Sequence, residues 1–510
     1  MNKSKKPVSR TRSALINIIS NCAYQVVNTV VNIILPRLII GSFGSVINGL
    51  ITTVKQIMGY VQLVGAGISE STVVSLYEPL DKKDEKKISS IYNAVGKTFN
   101  RAGCIFSLIS ALVATVYPLL ISVEGLSYPL VVLLILIISI SGLSEFLLIG
   151  KYRALLTADQ KIFVVNIAQI IGALGSTLLA VAMLKLGFGI VVVQFAAAMT
   201  YALRIAVLSL YIRKHYGYLD KTAAPDASAT SRRGAATVHS LATLVIFGSQ
   251  TIFISHFCGF AEASVYGVYN LVFTGINTLI STVSTGMLAG MGSLLVADDK
   301  ERVRGVYEIY ELVFQIITYT IYMTTILMIL PFVKIYTSGF VDADYIRHEF
   351  VLPLAFMGLL NCLRTPGSTV INAKGHYAET KNRALIEAAI CLVGQLALVN
   401  LFGVVGVILG TAAAFVYRAP DIIIYSNRRI LERSPLKSFA RAARFAVPFI
   451  AAYIVATKVE ISAGGYFEWA LYAAVVAVVS FASLFVIALI FDRKYLFGAF
   501  GYAKEILKRR

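Results

Sequence analysis

Five amide side chains recur early in the chain: Asn17, Asn21, Gln25, Asn28 and Asn32, at steps of 4, 4, 3 and 4. On an α-helix all five fall within an arc of about 80°. A stripe of this kind does one of two things. It glues helices together by hydrogen bonds, or it lines a hydrated cavity. Five amides on one narrow face favour the cavity wall. Two further stripes keep helical period: Asn48, Thr52, Lys55, Gln62 and Ser69, then Asn270, Thr274, Asn277, Ser281 and Thr285. Thr243, Gln250 and His256 form a weaker one. The spacing predicts that the three strong stripes converge on one polar chamber.

Charge adds a second kind of chemistry. Lys55, Arg204, Arg364 and Arg418 lie deep within apolar sequence, where an unpaired cation is costly. Lys55 has no acid nearby in sequence and lies on a polar stripe, so it is the best candidate for binding an anion. Arg418 has Asp421 at i+3, on one helical face, which favours an internal ion pair. Arg37 and Arg444 are placed to snorkel toward an interface, and Arg37, Arg204 and Arg364 are also candidate cavity cations. Among the acids, Glu145 is either a proton-coupling site or a partner for Arg204 or Arg364, and Asp421 is a second coupling candidate. No phosphate-binding glycine loop, metal-spaced histidine cluster or Ser-His-Asp set occurs. The five cysteines are scattered, which excludes a CxxC centre and gives no disulfide framework. No cofactor or metal is expected.

These residues need membrane-spanning elements to hold them. The chain has 510 residues, 57% hydrophobic and 14% charged, with a mean hydropathy of +0.76. Apolar blocks long enough to cross a bilayer recur about fourteen times. That excludes a soluble enzyme and predicts an all-α polytopic membrane protein. Odd-numbered connections hold about four Lys or Arg, whereas the termini and even-numbered ones hold about 34. The bias predicts that both termini face the cytoplasm, and it explains most of the net charge of +19 without nucleic acid. No predicted outer loop is large enough for a catalytic domain.

A repeat relates the halves at a shift of about 218 positions: Gly49 with Gly267, Asp81 with Asp299, Lys82 with Lys300 and Tyr92 with Tyr310. An even number of spans per half makes the repeat parallel and predicts a site between halves. The expected organisation is an N-terminal lobe of six spans (1–213), a cytoplasmic linker (214–236) and a C-terminal lobe of six spans (237–428). Two extra helices with a basic tail (429–510) complete it.

The segment NIISNCAYQVVNTVVNIILPRLIIGSFG (17–44), NGL at 48–50 and LYEPLDKKDEKKISSIY (76–92) resemble the multidrug/oligosaccharidyl-lipid/polysaccharide (MOP) exporter superfamily. Similarity is greatest to bacterial oligosaccharide–lipid flippases, which are related to lipid II flippases. The resemblance implies alternating access around a polar cavity and an apolar groove on the two extra helices. It implies transport in a bacterial cytoplasmic membrane, not catalysis. The implied substrate is an undecaprenyl-diphosphate-linked glycan, the repeat unit of a cell-surface polysaccharide. A glycan polymerase and glycosyltransferases are the implied partners, with membrane lipid around the protein. Lipid II flippases use several cations in spans one, two and eight; here span eight has none and span one has only Arg37, which favours another lipid-linked glycan. A lipid II flippase, a cation-coupled drug antiporter and a membrane glycosyltransferase or polymerase are the competing readings. Short outer loops argue against the enzyme.

Overall fold

In a computed structural model the described residues are 10–121, 123, 125–226, 235–296 and 299–508. The basic segment 1–9, linker residues 227–234 and Arg509–Arg510 of the tail lie outside them. So do the side chains of Ser69 and Glu70. Among the described residues the chain is helical, without strands. It forms two compact units, Met1–Thr237 and Val238–Arg510.

The first unit holds α1 (Arg10–Phe43), α2 (Ser45–Lys82), α3 (Glu85–Leu120), α4 (Tyr128–Ser144), α5 (Gly150–Ala158), α6 (Ile162–Lys185) and α7 (Ile190–His215). A π-helical turn, Glu145–Ile149, joins α4 to α5 within one membrane pass. Gly44 links α1 to α2 at φ 86°, a conformation that favours glycine. Asp84 caps α3 by accepting from the Lys87 N–H at 3.0 Å. The first part of the expected linker is not free: Asn93 donates to the Asp220 and Ala223 carbonyls, and Ser90 to that of Ala224. Residues 220–226 therefore lie against the start of α3.

In the second unit, α8 (Ala235–Phe257), α9 (Phe260–Val296) and α10 (Lys300–Tyr336) are followed by α11 (His348–Leu363) and α12 (Thr365–Lys374). Then come α13 (Tyr377–Tyr425), α14 (Leu436–Lys458), α15 (Tyr466–Phe491) and α16 (Arg493–Lys508). The long α13 is two arms meeting at Gly403, where φ 53° and ψ −130° leave the helical region. The arms touch backbone to backbone: a Cβ on Gly410 would stand 2.3 Å from the Gln395 nitrogen, and one on Gly406 2.0 Å from the Leu398 oxygen.

Among the described residues, eleven helices are apolar and long enough to cross a bilayer on length and composition alone. α2, broken by Lys55, Gln56 and Gln62, is not among them. Nor is α8, whose apolar part is Leu241–Phe257. Adding these two, and taking the arms of α13 separately, gives fourteen passes. This is a polytopic membrane protein.

A buried ion network fastens α14–α16 to α10. Arg441 Nη1 lies 2.7 Å from Glu311, and its Nη2 2.8 Å from both Glu308 and Asp492. Arg433 pairs with the same two glutamates. Arg444 reaches Asp492 at 3.1 Å. Its guanidinium is therefore an ion-pair partner at the α15–α16 junction, in place of the snorkelling role expected for it.

Candidate functional site

The clearest site within one unit is an open cleft of about 500 Å³ in the second unit, lined by Phe247, Thr274, Asn277, Thr278, Ile280, Ser281, Ser284, Thr285, Asn361 and Thr365. Eight of these ten side chains carry a hydroxyl or an amide and none is an acid. Seven lie on α9, and four of these (Thr274, Asn277, Ser281 and Thr285) belong to the stripe that helical period brings to one face. Asn361 and Thr365 come from the break between α11 and α12. Pro366 has no N–H to continue the ladder, so the pass is interrupted there, and Arg364 occupies the junction.

Arg364 is held on two sides. Its Nε and Nη2 donate to Asn361 Oδ1 at 3.1 and 2.9 Å. Its Nη1 pairs with Glu387, whose other oxygen lies 3.1 Å from Arg418 Nε. Arg418 also donates to Asp421 at 2.5 Å, and Arg383 pairs with that carboxylate. The Arg364 guanidinium stacks 4.6 Å from the Phe415 ring centre. Sequence pattern made Arg364 a cavity cation; the structure pairs its charge, because Glu387 arrives from another pass. Asp421 is likewise held between two arginines. Asn361 was not singled out, although its position three residues before Arg364, on one helical face, was a usable signal.

In the first unit the amide stripe divides. Asn17 donates to the Gln160 carbonyl at 2.7 Å and accepts from the Phe163 N–H at 3.0 Å, so it joins α1 to the α5–α6 turn. That turn also holds Asp159, which accepts a hydrogen bond from Tyr216. Burial, and then that bond, push the Tyr216 phenol well above its ordinary pKa. Asn17 is thus helix glue, a correction to its place in the cavity wall. Asn21, Gln25, Asn28 and Asn32 have no hydrogen-bond partner among the described residues, and Asn21 and Asn32 are exposed. Arg37 is half-buried.

On α2, Asn48 is buried and the Thr52 hydroxyl donates to its carbonyl at 2.8 Å. Gln62 packs against Gly142 of α4. Lys55 is exposed and unpaired among the described residues. Arg204 packs on Gly172 and lies 5.1 Å from the Tyr201 ring centre, without an acid among the described residues. Glu145, in the π-helical turn, pairs with Arg153 at 3.0 Å. This corrects the expectation of Arg204 or Arg364 as its ion-pair partner: the wide turn brings it to a residue only eight positions on. In the second unit Asn270 is half-buried, and Asn277 accepts from Asn361 Nδ2 at 3.3 Å.

No family model matches the sequence, and no curated protein does. The likeness lies in the fold. Lipid II flippase MurJ, in an inward closed conformation, matches with a TM-score of 0.63 at 14% identity, over 94% of this chain and 100% of that one. An inward-facing multidrug resistance MATE family transporter of the MOP superfamily matches at 0.62 and 14%, over 80% and 94%. An outward-facing MATE transporter of that superfamily gives 0.58 and 14%, over 82% and 96%. The chain therefore has the fold shared by MOP-superfamily transporters and the lipid II flippase.

Proposed function

We propose that the protein is a flippase that carries a polyprenyl-diphosphate-linked oligosaccharide, a cell-surface polysaccharide repeat unit, from the inner to the outer leaflet by alternating access of its two lobes. The observation that carries this reading is the α9 cleft: an acid-free recess whose largely apolar wall is studded with amides and hydroxyls, between bilayer-length helices. Amides and hydroxyls match the hydroxyl groups of sugars, which have no route through hydrocarbon on their own. Within the first unit, Asn21, Gln25, Asn28 and Asn32 are amides without a partner among the described residues, and Lys55 offers a cation to a diphosphate.

A cation-coupled drug antiporter would call for free acids in its cavity. Here Glu145, Glu387 and Asp421 are all paired with arginines. The MurJ likeness keeps lipid II in view as the substrate. The α9 stripe, however, lacks the Lys and Arg that the resemblance to lipid II flippases implies for that span. On this reading both termini face the cytoplasm, and glycosyltransferases and a polymerase act before and after transport. The test is protein-dependent movement of a polyprenyl-diphosphate oligosaccharide across proteoliposomes. Movement no faster than in protein-free vesicles would refute it.

A further inference from the structure

The cleft has a hydrogen-bond polarity that its composition alone does not reveal. An arginine can only donate, so the Asn361 atom that meets Arg364 Nε and Nη2 must be the amide oxygen. That leaves the Asn361 NH2 facing Asn277, where it donates to Oδ1 at 3.3 Å. The Asn277 oxygen is thereby occupied. Its NH2 has no partner among the described residues and stands at the cleft.

The neighbouring hydroxyls have the opposite polarity. Thr278 donates to the Thr274 carbonyl at 2.9 Å, Ser281 to that of Thr278 at 2.9 Å, and Thr285 to that of Ser281 at 2.8 Å. With their protons committed to the helix, these oxygens offer lone pairs to a ligand's O–H groups. The orientation is locked at its source. Arg364 is tied to Glu387, whose side chain is only 5% exposed, and turning the arginine away would strand a buried carboxylate. Three arginines (Arg364, Arg383, Arg418) share two carboxylates (Glu387, Asp421), so the network behind the cleft has one positive charge in excess.

We infer that Arg364 and Asn361 are positioning residues that fix Asn277 as a donor, making the cleft a subsite for a polyol bearing an anionic acceptor oxygen. This deepens the flippase reading and rests on it for the ligand's presence in the cleft. The acceptor oxygen has two sources, a sugar carboxylate or the diphosphate. A fixed N–H donor with the Arg364 guanidinium behind it favours either, and disfavours a cation.

The test is calorimetric binding to the full chain in lipid nanodiscs. The probes are a glucuronate-containing tetrasaccharide, maltotetraose, farnesyl diphosphate and tetraphenylphosphonium. At least one anionic probe should bind about tenfold or more tightly than maltotetraose and tetraphenylphosphonium, the range expected of one charge-assisted hydrogen bond. Asn277→Asp should abolish that preference while maltotetraose binding is kept. Asn361→Leu leaves every charge in place and frees Asn277 to turn, so it should reduce the preference several-fold while maltotetraose binding is kept. Preference for the saccharide alone assigns the oxygen to a carboxylate, and for farnesyl diphosphate alone to the diphosphate; both support the inference. Equal binding of maltotetraose or tetraphenylphosphonium, or unchanged anion preference in both variants, would overturn it. Binding is read without translocation: a protein that moves lipid-linked glycan without this preference refutes the inference and leaves the flippase reading intact.

Discussion

Two cations that look alike in sequence differ in their surroundings. Lys55 is exposed and unpaired among the described residues, whereas Arg444 is committed to Asp492 at 3.1 Å. Lys55→Ala should therefore lower transport at least tenfold with little change in thermal stability, the loss expected of one charge-assisted contact to a phosphate. Arg444→Ala should do the reverse: lower the unfolding temperature, because Asp492 loses a partner, and leave the transport rate per folded molecule near normal. Complementation of a flippase-deficient strain at matched expression, together with melting of the purified variants, separates the two effects. Equal transport loss would remove the case for an anion site at Lys55. At this scale the sequence was legible where partners are local. Arg418 and Asp421, three residues apart, could be paired on paper. The Asn17 contacts with Gln160 and Phe163 span 143 and 146 positions, and Arg364–Glu387 joins separate passes. Nothing in helical period carries such information.

Helices were the most readable level, because a bilayer imposes one length and one polarity on each pass. The apolar blocks at 384–402 and 404–426 meet at Gly403, where the backbone turns. The interruption at Arg364 and the π-helical turn at Glu145 were not readable: a pass keeps its hydropathy across a local change of winding. Nor did hydropathy reveal how closely the arms of α13 approach. That contact gives an element-scale prediction. Gly410→Val should separate the arms and destabilise the protein by about 3 kcal/mol, the upper part of the usual range for a point substitution. Gly286→Ala on α9, where an added Cβ meets nothing within 4 Å, should be close to neutral. Thermal unfolding of both in detergent is the check, and similar melting temperatures would mean the arms have slack.

For the molecule as a whole, hydropathy and charge bias gave a multi-pass helical protein, and the structure has the fold of MOP-superfamily transporters. The substrate was less accessible, since it depends on which polar groups remain free once the helices have packed. On the proposed reading the cargo carries about two negative charges. Moving these outward against a negative interior is favourable by roughly 2.3 kcal/mol per charge per 100 mV, or about 4–5 kcal/mol in all. Such a gain biases export by about three orders of magnitude. If Lys55 crosses the field with its cargo, part of the gain is cancelled. The decisive measurement is flux of a labelled polyprenyl-diphosphate oligosaccharide in proteoliposomes, with the potential set by K⁺ and valinomycin at fixed pH and Na⁺. The account predicts protein-dependent flux that rises when the cargo's destination is made positive and falls when the sign is reversed. Flux indistinguishable from protein-free vesicles at every potential would contradict it.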